Sequence, residues 1–479
     1  MKQYHSLINR APVPRVKKRD LIGPSNETTV AQVSVATNED VTAAVDHAVD
    51  ARTEWAATPA GERGRMLVEA AASLEKRVKE ASLRMAIEQG KTVAEAEGEF
   101  VRAVETLVWN GENAERLSAP LPIDDTRCLI REPIGVVAAF SPWNYPAVLS
   151  ARKVAAPLAA GCPVILKAAE ESPAAAVAIV EALWEAGVPA GAVSLLLGDP
   201  SHLSEQIMAR PEVRVISFTG STRVGKLLAA RAAQNLQNCV LELGGNAPVI
   251  VTAGVDLKDT AQQVAEYKFE HAGQSCNAPG RVFVDQTIYD DFVAELEQAA
   301  AHYVLGPATE STTVMGPLFA QRAVERMAHF TKDAAERGAK VHEATTRPDG
   351  PGFFWPPTII SNVPPESGVL EEEVFGPILP VVPFDTIDEA IQNANASPYG
   401  LASYVFAADE TTKRLVTSQL DTGSVSINML RGVRADVPNP GRHESGLGYE
   451  GGEPGFAAFQ NLKLVNGAAA TLFEGSSDA

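Results

Sequence analysis

The chain has 479 residues, enough for about three domains at roughly 150 residues each. Its 45 % apolar and 21 % charged residues describe a core-forming protein rather than a disordered one. A net charge of −19 leaves no basic excess to neutralise phosphates, which excludes nucleic acid and anionic membrane surfaces as expected partners.

Residues 1–35 read as extended and irregular. Asn38-Glu39-Asp40 offers a cap for a first helix, a second follows Gly61, and two more fill 76–117. Met66, Ala70, Leu74 and Val78 recur at helical spacing, which predicts one buried face. From Ile130 short β-rich runs alternate with alanine-rich helices. GVVAAF, PVILK, VSLLLG, VRVISFTG, NCVLELGG and APVIVT read as strands, with a helix starting near Val148 after the turn SPWNYP. This alternation predicts an α/β fold with parallel sheets. It restarts with a helix near 258–271, the strand RVFVD, a helix over 288–302, and a further α/β set from 320 to 425. The tail QNLKLV reads as a lone strand that docks on another domain or another subunit.

The four cysteines, Cys128, Cys162, Cys239 and Cys276, form no CxxC, and the eight histidines form no HExxH, so no metal site is expected. No signal-peptide core appears at the start. The longest nearly apolar run, Val154 to Leu166, holds 13 residues and two prolines, too few to span a bilayer. A cytoplasmic location with reduced thiols is expected.

Three glycine motifs invite nucleotide readings. GLGYEG, Gly446 to Gly451, matches G-x-G-x-x-G but lacks the preceding strand that a pyrophosphate loop needs. GSTRVGK, Gly220 to Lys226, misses the P-loop because Leu227 stands where a magnesium-binding hydroxyl belongs. A strand still feeds a helix N-terminus there, which suits either an anion site or a simply capped helix. LELGG ends an apolar strand on Glu242. Burial would raise its pKa and suit a general base, or it is a salt-bridged structural carboxylate. GQSC places Cys276 in a polar turn, unlike Cys162 and Cys239, which lie in apolar runs.

SPWNYP, KAAE, FTGSTRVG, LELGG, GQSC, EEEVFGP and ESGLG occur in this order between residues 141 and 448. The set resembles the NAD(P)-dependent aldehyde dehydrogenase superfamily over nearly the whole chain. The resemblance implies a Rossmann-variant cofactor domain (1–118 and 132–242), an α/β catalytic domain (243–445) and a small oligomerisation β-extension (119–131 and 446–479). It makes Cys276 the nucleophile, Asn144 the oxyanion donor and Glu242 the base that activates water. Glu242 argues against a coenzyme A-acylating relative. Pro142, Trp143, Lys167, Glu170, Gly220, Ser221, Leu243, Glu373 and Phe375 match cofactor contacts. Glu170 would accept from a 2′-hydroxyl and repel a 2′-phosphate, so NAD is expected over NADP.

PWNYPAVLSARK and ESGLGYEGG look closest to the succinate-semialdehyde dehydrogenase branch. Arg152 stands where that branch binds a substrate carboxylate, which a guanidinium suits, although an interdomain salt bridge fits it equally. Tyr145, Asn277, Arg431 and Arg434 complete the substrate set. Glu270 replaces a second arginine of the branch, Ala278 replaces its second cysteine, and His443 and Tyr449 replace a common Lys and Arg. The substrate is therefore a semialdehyde or a bulkier, aromatic relative. A homodimer or homotetramer is implied. The alternatives are an uncharged-aldehyde dehydrogenase and a catalytically silent scaffold.

Overall fold

A computed structural model describes residues 1–430 and 433–467. Two sheets organise it. The first has eight strands, in the order Gly446–Leu447, Asn238–Glu242, Val213–Thr219, Val136–Ser141, Val164–Ala168, Val193–Leu196, Ser6–Ile8 and Ala11–Val13. Its five central strands run parallel, and its edges are antiparallel. The second has seven, from Lys340–Glu343 through Thr358–Ser361, Ile378–Phe384, Pro279–Asp285, Ala247–Val251 and Ala402–Phe406 to Ser424–Ile427. Strands such as Val164–Ala168 and Ala247–Val251 are buried throughout, as expected of parallel strands covered on both faces.

The chain order reverses between Val136–Ser141 and Val213–Thr219. In open α/β sheets such a switch point opens a crevice at the carboxyl ends of the strands. The turn 142–145 and the residues Gly220–Thr222 leave those two ends and therefore face one crevice.

Several local readings shift. The first 35 residues are not irregular. They form five short strands, including Lys2–Tyr4 on Thr29–Ser34 and Leu7 opposite Leu195. The first helix, Asn38–Ala57, is capped by Thr37 with Asp40 in a reciprocal capping box rather than by Asn38. The helix expected from Val148 begins at Pro146, because Glu99 accepts the N–H groups of Ala147 and Val148. Ala70 and Leu74 are buried as the helical spacing predicts, while Met66 and Val78 are only half-buried. The tail strand Gln460–Asn466 finds its partner within the chain, antiparallel to Arg127–Pro133, which also pairs with Leu121–Asp124. Gly446–Leu447 belongs to the first sheet, beside Asn238–Glu242. Among the described residues no helix is long and apolar enough to cross a membrane.

Candidate active site

The turn after Val136–Ser141 is fastened from below. Gln89 Nε2 donates to the carbonyls of Trp143 and Asn144, both at 3.0 Å. Lys91 Nζ donates to the Asn144 carbonyl at 3.0 Å, pairs with Glu99, and lies 3.7 Å from the centre of the Tyr145 ring. Lys91 and Glu99 are fully buried. A buried ion pair holds only where further hydrogen bonds satisfy it, and here Glu99 also caps the helix Pro146–Ala160. Burial pushes the Lys91 ammonium below its usual range, against the pull of Glu99. Asn144 is buried, and its Nδ2 donates to the Gln274 carbonyl at 3.0 Å. One of its two amide N–H donors is thus tied to the loop that carries Cys276. Asn144→Ala is expected to lower kcat by about 10²–10³-fold with little change in KM, checked by steady-state kinetics.

Cys276 follows a tight reversal. After the helix Leu257–Phe269, His271 and Ala272 take left-handed φ values of 50° and 52°. The loop then passes beneath LELGG. A Cβ on Gly245 would lie 2.5 Å from the Cys276 carbonyl, and one on Gly244 would lie 2.6 Å from Glu373 Oε2. Gly245 thus passes close to backbone, while at Gly244 a side chain would require the Glu373 carboxylate to move aside. Gly245 N–H also donates to Glu373 Oε1 at 3.2 Å. Asn277 Nδ2 lies 3.8 Å from Cys276 Sγ, and Tyr404 donates to the Asn277 carbonyl at 2.8 Å.

The electrostatics oppose a resting thiolate. Burial, then the charges of Glu373 and Glu242, push the Cys276 thiol up to about 12, with Arg152 pulling the other way. Burial and the charge of Glu450 hold the Glu242 carboxyl well above its usual range, opposed by Lys153 and Arg152. Glu242 Oε2 accepts from Asn439 Nδ2 at 3.4 Å, while its buried Oε1 has no partner. An unpaired buried oxygen costs about 1–3 kcal/mol, which a water or substrate proton there would relieve. The thiol of Cys162 is also raised, to about 11, by burial. Acidity therefore does not single out Cys276; its company of two carboxylates and an arginine does.

The residues expected to meet a cofactor come from both sheets' segments, several of them at strand ends of the first sheet. Lys167 Nζ donates to Glu170 Oε2 at 2.7 Å at the end of Val164–Ala168. Ser221 is exposed at the start of Thr222–Ala232 and its side chain makes no capping bond, leaving first-turn N–H groups open to an anion. Gly220 N–H donates to the Glu242 carbonyl at 3.0 Å. Leu243 packs on Gly225, where a Cβ would meet its Cδ2 at 2.4 Å, so the helix rides close on the strand end. Half-buried Pro142 precedes Trp143, whose ring stacks on Phe319 with centroids 3.7 Å apart and meets Phe375 edge-on at 5.9 Å. Phe375 holds a left-handed φ of 50°. The Glu373 carboxyl is pushed up to about 7, chiefly by burial. An open helix N-terminus, a close glycine and a buried carboxyl along one crevice fit a dinucleotide.

Of the substrate set, Tyr145 packs edge-on to His271 at 5.8 Å, and Asn277 adjoins the thiol. Arg152 is buried, close enough for its charge to act on Cys276 and Glu242, and its Nη2 donates to the Arg434 carbonyl at 3.2 Å. The Arg434 guanidinium does not join this group; it is exposed and bonds Asp436. Arg431 lies outside the described residues. Glu270 lies 3.9 Å from Arg102. Residue patterns did not mark Gln89, Lys91, Glu99 or Tyr404, and the runs PWNYPAVLSARK and ESGLGYEGG contain Lys153 and Glu450 without giving either a role. The buried Lys153–Glu450 pair stands beside Glu242, and its only sequence signal is a lysine inside an apolar helix. Among the described residues no cluster of three His, Cys, Asp or Glu is arranged to hold a metal.

The Aldehyde dehydrogenase family profile matches residues 13–465, and the chain belongs to that family. It is 38 % identical over 447 residues to the 4-(hydroxymethyl)benzenesulfonate dehydrogenase of Comamonas testosteroni, covering 92 % of this chain and 93 % of that one. It is 35 % identical to the succinate-semialdehyde dehydrogenase (NADP+) of Escherichia coli K12, covering 93 % of each. The crystal structure of succinate-semialdehyde dehydrogenase from Burkholderia pseudomallei superposes with a TM-score of 0.93 at 34 % identity, covering 96 % of this chain and 97 % of that one. The fold is that of the family, and the protein is an oxidoreductase of the aldehyde dehydrogenase class.

Proposed function

We propose that this chain oxidises an aldehyde bearing an anionic end, a semialdehyde or a carboxylated or sulfonated aromatic aldehyde, to the carboxylic acid, with NAD as the preferred acceptor. The observation that carries this is the buried company of Cys276: Asn144 tied to its loop, and Arg152 acting on both the thiol and Glu242. The names of the relatives, on a sulfonated aromatic and a carboxylated aldehyde, agree with an anionic tail.

Cys276 Sγ bonds to the aldehyde carbon as its proton passes to solvent water, and the carbonyl π electrons move onto the oxygen, which becomes an oxyanion. Asn144 Nδ2 and the Cys276 N–H stabilise that oxygen, a contribution of about 2.7–4 kcal/mol per donor. Lys167, Glu170, Ser221 and Glu373 would hold a nicotinamide dinucleotide, which would supply the acceptor for the hydride that leaves this carbon. The thioester then remains on Cys276. Glu242 takes a proton from water, whose oxygen bonds to the acyl carbon; the C–S bond breaks and the acid departs. Glu242 supports hydrolysis over transfer to coenzyme A. Residues 1–118 and 132–242 form the cofactor domain, which also supplies Asn144 and Glu242, and 243–445 form the catalytic domain, which carries Cys276 and supplies Glu373 to the cofactor. The three-stranded sheet of Leu121–Asp124, Arg127–Pro133 and Gln460–Asn466, with Leu462, Leu464 and Ile123 exposed, supports pairing of copies into a dimer or tetramer.

Arg152→Ala is expected to raise KM for succinate semialdehyde and for 4-carboxybenzaldehyde by about 10- to 100-fold, the scale of lost charge-assisted hydrogen bonds. KM for butyraldehyde or benzaldehyde should hold. Equal losses on charged and uncharged aldehydes would make Arg152 structural and remove the anionic substrate.

A further inference from the structure

At the adenosine-ribose end of the crevice stands a cation from a distant part of the chain. Arg19 lies on the strand Lys18–Ile22, opposite Val33 of Thr29–Ser34. Its Nη1 donates to Glu170 Oε1 at 2.7 Å, while Lys167 Nζ takes Glu170 Oε2 at the same distance. The Glu170 side chain is 4 % exposed and that of Lys167 5 %, but that of Arg19 is 56 % exposed. One buried carboxylate thus faces two cations, one fixed in the core and one reaching into solvent.

The charge balance differs from that of a lysine–glutamate pair alone. Such a pair is neutral and offers a 2′-phosphate a bare carboxylate to repel it. With Arg19 added the trio carries a net positive charge. Beside the half-buried Glu171, whose carboxyl burial and the charge of Glu170 raise above its usual range, Arg19 is the exposed cation of the group. A guanidinium presents a planar fork that fits phosphate oxygens two at a time. Being exposed, Arg19 can turn from Glu170 to an incoming phosphate by side-chain rotation, with no repacking of the core. A 2′-hydroxyl needs no such turn, since a carboxylate oxygen already bonded to a cation keeps a second lone pair.

We propose that Arg19 is a specificity-determining residue that gives this protein a 2′-phosphate subsite, so that it binds NADP+ as well as NAD+. The proposal rests on the reading of Lys167 and Glu170 as the adenosine-ribose site. It is tested by calorimetric titration of the full chain with NAD+ and with NADP+, without aldehyde. The wild type is expected to bind both. Arg19→Ala should weaken NADP+ by about 10- to 100-fold, the scale of lost charge-assisted bonds, and leave NAD+ nearly unchanged. Arg19→Lys should recover part of the loss. Glu170→Gln should weaken NAD+ and tighten NADP+. If Glu170→Gln shifts the two affinities but Arg19→Ala does not, or if Arg19→Ala weakens both equally, the role of Arg19 is overturned while the ribose site stands. If neither substitution moves either affinity, the ribose-site reading itself fails.

Discussion

Replacing Cys276 with alanine is expected to lower aldehyde-dependent NADH formation by at least about 10⁴-fold, since removing a covalent nucleophile forfeits the steps that depend on it together. Dinucleotide affinity should survive, because none of the groups assigned to the adenosine and pyrophosphate ends touches the thiol. Cys162→Ala and Cys239→Ala, by contrast, remove a buried thiol just past the helix Pro146–Ala160 and a half-buried one three residues before Glu242 on the strand Asn238–Glu242, and should leave turnover in place. Stopped-flow absorbance of NADH and a parallel binding titration separate the two readouts. The thiol also predicts a pH response. Its folded pKa is pushed up to about 12, so the thiolate is scarce at neutral pH and gains about tenfold per unit as pH rises. The rate of attack should climb through the alkaline range without a plateau near 8 or 9.

Glu242→Gln is expected to separate the two halves of the reaction. Gln keeps the shape but takes no proton from water, so hydrolysis should slow by about 10²–10⁴-fold while attack and hydride departure continue. The result is a burst of NADH close to one per active site, followed by a slow steady rate. The sign of the pH effect follows from the raised carboxyl. Its base form is scarce below that raised pKa and grows as pH rises toward it, so the wild-type hydrolysis rate should increase with pH over a limb that lies above the ordinary carboxylate range. Glu242→Gln should lose that limb and keep the one set by Cys276. A steady-state fall with no burst would place the defect before the thioester and remove Glu242 from hydrolysis.

Much of this was legible in the residues because it is local. Val, Ile and Leu runs between turns mark the parallel strands, and the glycines of LELGG mark a strand end that something must approach closely, which proves to be Glu373 and the Cys276 carbonyl. The supports were not legible because they are long-range. Lys153 and Glu450 are 297 residues apart, Arg19 and Glu170 are 151 apart, and nothing in their neighbours' sequence signals the pairing. Glu99 reads as one more helical glutamate until the helix at Pro146 is seen to begin on its carboxylate. The first 35 residues hid their strands because each is short: four of the five pair only among themselves, and only Ser6–Ile8 reaches a distant partner, through Leu7 opposite Leu195. Arg434 was misleading in the opposite way. Its charge suggested a substrate contact, yet Asp436 two residues on neutralises it at the surface, and the backbone carbonyl is what reaches Arg152.

The most direct test of the covalent route is the mass of the protein itself. Glu242→Gln is mixed with NAD+ and 4-carboxybenzaldehyde, quenched in acid within the burst, digested and analysed by mass spectrometry. The account predicts an acyl increment on the peptide carrying Cys276, in proportion to the NADH released, and its removal by hydroxylamine. NADH released in full with no adduct, or with the adduct on another residue, would contradict it.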